Sequence, residues 1–124
     1  MSSAPLSIVP SPEVEGELVI PNEVIAQIVG LTVLECYGVV GMAARSLTQG
    51  VAGLLSRERI DQGVAVRREG DALAIDLYVI VEYGLNLAEV AATVRSRVGY
   101  ELERLTGLRV AAVEVHIEDV RRSA

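Results

Sequence analysis

The chain has 124 residues, 51% of them hydrophobic, with a formal net charge of −6 and one cysteine. That length fits one domain with a real core. The acidic balance argues against a general nucleic-acid binder or a protein lying directly on an anionic membrane, since both need a basic surface. A lone cysteine cannot form an internal disulfide, so a reducing cytoplasm is the expected compartment. Phe and Trp are absent and Tyr numbers four, so Val, Leu, Ile and Ala must build the core. All eleven basic residues are Arg, a bias expected of a GC-rich genome or of life at high temperature.

Residues 1–15 read as a flexible tail and 16–122 as a single domain. Met1 to Glu15 holds Pro5, Pro10, Pro12 and four Ser, with little periodicity. It lacks the basic start and the roughly 7–15-residue apolar run of a signal peptide. No apolar stretch approaches the ~20 residues that span a bilayer, so any membrane association is expected to run through a partner.

Glu17 to Ile20 is a short strand candidate, and Pro21-Asn22 marks a helix entry. The first helix is expected from about Asn22 to Cys36. Its apolar residues Val24, Ile25, Ile28, Val29, Leu31, Val33 and Leu34 wrap more than half the circumference, whereas packing on a sheet needs a stripe of roughly 100°. Apolar surface is therefore left over. Val39 to Met42 reads as a short strand or an extended connection. Within Ala43 to Gln62, the spacing of Leu47, Val51, Leu54 and Leu55 predicts a short helix with a charged exit at Arg57-Glu58-Arg59.

Gly63 to Arg68 and Ala72 to Tyr83 form a predicted hairpin across Glu69-Gly70-Asp71. In the second strand Leu73, Ile75, Leu77, Val79, Val81 and Tyr83 alternate toward a core; Ala74, Asp76, Tyr78, Ile80 and Glu82 point the other way. At this length, against a usual strand of about 5–6 residues, a bend or frayed end is expected. Gly84 ends the strand. The second helix follows, with Leu87, Val90, Ala91, Val94, Val98, Leu102 and Leu105 in one stripe and Glu89, Arg95, Arg97, Glu101 and Arg104 off it. Asn86 with Glu89 suits a capping box, and Thr106-Gly107 supplies the stop. The last strand is expected over Arg109 to Val120, with Val113, Val115 and Ile117 inward. The fold class is α+β: two layers, a mixed or antiparallel sheet of about four strands, and two main helices on one face.

Four residue groups bear on chemistry. Glu114, His116 and Glu118 share one face of the last strand, but a flat row of alternate residues does not close a tetrahedron, and they read as a polar strand face. Cys36 and His116 could in principle form a nucleophilic pair, yet Cys36 ends an apolar helix, where a free thiol behaves as a small hydrophobe. Gly50-Val51-Ala52-Gly53, with Arg45, Arg57 and Arg59 nearby, matches a KH-type GxxG loop and defines an alternative reading as an RNA-associated regulatory module. Asp76 and Glu82 share a strand face without a visible cleft and read as a solvated or interface-facing surface. No catalytic, metal or cofactor residue is expected. The surplus apolar surface marks interface candidates instead: Val24 and Leu31 on the first helix, Tyr78 and Ile80 on the second sheet face, joining like subunits into a homo-oligomer.

Several short pieces, in this order, carry a family resemblance: Gly16-Glu17-Leu18-Val19-Ile20-Pro21, Glu23-Val24-Ile25-Ala26, Gly38-Val39 followed by Met42, and Gly63-Val64-Ala65-Val66. Asp76-Leu77-Tyr78-Val79-Ile80-Val81-Glu82-Tyr83-Gly84 is the most specific, and Val113 to Val120 completes the set. With these the chain resembles the alkaline shock protein family of bacteria, small proteins linked to cell-envelope stress. The resemblance implies a non-enzymatic, self-associating scaffold or interaction protein without cofactor. It also implies a cytoplasmic location, peripheral at the inner face of the membrane where a membrane-spanning partner holds it. Arg here replaces the Lys common in such proteins, and the Pro/Ser tail lies outside the match.

Overall fold

The computed structural model describes residues 20–44 and 53–122. They form helix α1 (Asn22–Leu34), strand β1 (Val39–Met42), a 3-10 segment (Arg57–Gly63), strands β2 (Val64–Glu69) and β3 (Ala72–Glu82), helix α2 (Leu87–Thr106) and strand β4 (Arg109–Arg121). The tail, most of the Glu17 to Ile20 strand, and Leu47 and Val51 of the expected short helix lie outside the described residues. So do three of the four residues of the GxxG.

The sheet is mixed, and β3 is its centre. Along one edge β3 pairs antiparallel with β2, from Ala72 to Leu77, and then with β1, from Val79 to Val81. Along the other edge β4 runs parallel to it over the full length, from Ala72↔Arg109 to Glu82↔Arg121. The hairpin turn forces the first pairing, with Gly70 at φ 67. The parallel pairing needs a crossover, which α2 provides. The register slips between Leu73/Ala74 and between Val79/Ile80, so the length of β3 is accommodated by irregular pairing.

Both main helices cover one face. Leu73, Ile75, Leu77, Val79 and Val81 are at most 1% exposed and join Ile25, Val29 and Val33 of α1 and Val90, Val94, Val98 and Leu102 of α2 in a single aliphatic core. The stripe of α2 narrows at its ends, where Leu87 and Leu105 are 38% and 53% exposed. Tyr83 also departs from its expected core position. It lies past the end of β3, just before Gly84 at φ 94, and is exposed beneath the Arg122 guanidinium at 4.6 Å.

The region before β2 differs from the expected helix. Ala43 bridges Leu54, and the Leu55 N–H donates to the Met42 carbonyl at 2.9 Å, so these two leucines are extended rather than helical. The turn of helix comes later, at Arg57–Gly63. Ile60 there is 1% exposed and packs against α1 where Gly30 leaves room for it.

Asn86 caps α2: its Oδ1 accepts from the Glu89 N–H at 3.1 Å, and Gly107 closes the other end at φ 75. Asn86→Ala should lower stability by about 1 kcal/mol. The thermal midpoint should fall by roughly 4 °C, with the denaturant m-value unchanged.

Candidate functional site

Away from the helices, the sheet carries a polar cluster built by register alone. β3 sets Asp76 beside Ala65 of β2 and Glu114 of β4, and sets Tyr78 beside His116. The Asp76 Oδ1 lies 3.1 Å from His116 Nε2, and its Oδ2 accepts from Arg67 at 3.0 Å. Arg67 also pairs with Glu69 at 2.9 Å. The His116 ring stacks on Tyr78, with centroids 4.6 Å apart and planes 9° from parallel. Glu114 comes within 4.0 Å of the same imidazole nitrogen. The hydrogen bond from His116 and then that from Arg67 hold the Asp76 carboxyl below its ordinary value, with desolvation opposing them.

This face does not leave its apolar candidates open. Ile80 is fully buried, packed with Ala43, Val40 and Tyr78, because the end of β1 folds against it. Tyr78 is half-buried in the stack with His116. The α1 candidates are placed differently: Val24 and Leu31 are 45% and 39% exposed. Ile28, Leu31 and Thr32 of α1 line an open groove with Leu105 of α2, together with Glu35, Glu101 and Arg104. Two of these acids are held by Arg: Glu35 by Arg97 at 3.2 Å and Glu101 by Arg104 at 2.7 Å.

The residues singled out for catalysis are not brought together. Cys36 belongs to the core on the helix side and donates to the Thr32 carbonyl at 3.5 Å, whereas His116 lies on the opposite face of the sheet. Burial raises the Cys36 thiol, against the opposing charge of Arg97, and keeps it protonated. Glu82 ends β3, six positions beyond Asp76, and its N–H donates to the Gly38 carbonyl at 2.8 Å. A partly enclosed hollow is lined by Tyr37, Leu85, Asn86, Glu89, Val90 and Thr93. Glu89 is its one carboxylate. Arg57 and Arg59 of the GxxG reading lie in the 3-10 segment, where Arg59 donates to Gln62 at 3.1 Å.

Arg95 and Glu103 of α2 carry a device that periodicity did not reveal. Arg95 Nε donates to the Val113 carbonyl at 3.3 Å, and Glu103 accepts from the Val110 N–H at 3.0 Å. Together they occupy backbone groups of β4, which would otherwise invite another strand.

Comparison with known proteins gives a consistent result. The model of the alkaline shock protein 23 family, described as having a cell envelope-related function, matches residues 11–122. The chain is 40% identical over 107 residues to the uncharacterized protein YloU of Bacillus subtilis, covering 86% of this chain and 89% of that one. It is 30% identical over 106 residues to the uncharacterized protein YqhY of the same organism, covering 86% and 78%. It is also 28% identical over 108 residues to a stress response regulator gls24 homolog of Streptococcus pyogenes, covering 87% of this chain but 60% of that one. No solved structure matches.

Proposed function

The chain belongs to the alkaline shock protein 23 family of envelope stress-type proteins, and from that membership we propose that it is a non-enzymatic scaffold. It self-associates in the cytoplasm and is held at the inner face of the membrane by a membrane-spanning protein partner. The observation that supports this most is the outer side of α1. Its inner side is already complete with Ile25, Val29 and Val33, yet Val24 and Leu31 remain exposed, and Leu31 lines the groove that Leu105 shares. A second copy of the chain is the occupant proposed for this ridge. The flanking Glu35 and Glu101 are already neutralised by Arg97 and Arg104, so like can face like without bare charges meeting. The other sheet face is less suited to self-pairing, since Glu69, Asp76 and Glu114 outnumber Arg67 there.

None of the helices among the described residues is long and apolar enough to cross a membrane. With a net charge of −6, direct attraction to anionic lipid is also disfavoured. The purified protein should therefore fail to float with protein-free anionic vesicles. It should co-sediment with membranes from its own cells, and trypsin treatment of those membranes should abolish the binding. Flotation with pure lipid, or no recovery on native membranes, would overturn the membrane part of the proposal.

A further inference from the structure

The polar cluster on the open sheet face has the makings of a site for a metal ion. Asp76, Glu114 and His116 each offer one ligand atom, and the three atoms lie within 4.8 Å of one another. The row Glu114, His116, Glu118 failed as a site because one strand cannot wrap a cation. The structure replaces Glu118 with Asp76 from the neighbouring strand, so the donors converge from two sides. We propose that Asp76, Glu114 and His116 form a site for a divalent first-row transition cation, with Zn²⁺ as the type ion, clipping β3 to β4.

A tetrahedral zinc with bonds of about 2.0–2.2 Å needs its ligand atoms about 3.4 Å apart. His116 Nε2 is already 3.1 Å from Asp76 Oδ1 and 4.0 Å from the Glu114 carboxylate oxygen. Glu114 must close in, from 4.0 Å on His116 Nε2 and from no more than 4.8 Å on Asp76, a movement of about 1 Å. Its side chain is 65% exposed and free to do so.

The other two ligands are held in orientation. The His116 ring is fixed by its stack on Tyr78. The second oxygen of Asp76 is held by Arg67, which leaves Oδ1 aimed at the imidazole, the kind of outer contact that orients metal ligands. On binding, the cation takes the Nε2 lone pair of the neutral imidazole, whose proton then sits on Nδ1, and bonds to both ligand atoms replace the Nε2–Oδ1 hydrogen bond. Three protein ligands leave the fourth position to water. The imidazole selects against Mg²⁺ and Ca²⁺, which prefer oxygen ligands throughout.

His116 is the sole histidine and Cys36 the sole, buried, cysteine, so the background is low. The test is calorimetric titration of the untagged, chelator-stripped full chain with ZnCl₂, beside the NMR signals of the one imidazole. We expect one zinc per chain, a shift of both His116 ring resonances, and persistence of binding in millimolar Mg²⁺. His116→Ala should abolish the uptake, and Glu114→Gln should weaken it by at least tenfold. Glu114 is exposed, so the second variant remains decisive if the first fails to fold. No zinc uptake by the wild-type chain would overturn the proposal. So would uptake that leaves the imidazole signals unmoved or is the same in Glu114→Gln.

Discussion

Leu77→Ala should lower the thermal midpoint by roughly 8–20 °C, among the largest losses expected from one truncation in this chain. Leu77 is 0% exposed at the middle of β3, paired on one side with Val64 and on the other with Val115. Removing its methyls in a packed core costs about 2–5 kcal/mol, because the surroundings relax only in part. Both flanking strands hold the backbone there, so the cavity cannot close by moving β3. Tyr78→Ala, one position along, should cost less, since Tyr78 is only half-buried on the other face. Denaturant midpoints of the two variants check this. A larger loss for Tyr78 would mean that the open face carries more of the stability than the core.

Gly63→Ala should be nearly as damaging, for the opposite reason. A Cβ at Gly63 would lie 2.7 Å from the Ala43 carbonyl oxygen and 3.0 Å from the end of the Met42 side chain. A side-chain tip can turn away, but a backbone oxygen cannot. β1 and β2 meet end to end here along the same edge of β3, and the added methyl would push them apart. Overpacking of this kind costs about 1–3 kcal/mol, or a fall of roughly 4–12 °C. Gly99→Ala is the matched control. A Cβ there meets nothing within 4 Å in the middle of α2, so it should stabilise by up to about 1 kcal/mol. Thermal melts of the two variants should therefore move in opposite directions.

The parts of the fold that sequence showed were those written in a local period. β3 follows from strict alternation over Leu73 to Val81, and α2 from its stripe, its Asn86 cap and its Gly107 stop. What escaped depended on which distant segments become neighbours. His116 and Asp76 are 40 residues apart, and only the parallel pairing of β4 with β3 brings them together. The alternation of Glu114, His116 and Glu118 showed that a polar face exists but not what stands beside it. Ile80 has the pattern of an open position and is buried because the end of β1, with Ala43, packs against it. Leu54 and Leu55 have helical spacing, yet backbone pairing with Ala43 and Met42 holds them extended. The excess of apolar residues on α1 was visible from the start, and among the described residues Val24 and Leu31 stay 45% and 39% exposed.

The outer side of α1 is the proposed contact between copies. Leu31→Glu would set a charge where a second copy is proposed to sit, and burying it without a partner is costly. The site is 39% exposed in the single chain, so the substitution should leave the fold of each subunit intact. Sedimentation velocity at micromolar concentration, run on the wild-type chain and on Leu31→Glu, is the direct measurement. The wild type should sediment as a dimer or larger, and the variant as a folded monomer of 13.2 kDa. A wild-type chain that runs as a clean monomer, or a variant that sediments like the wild type, would contradict self-association through α1.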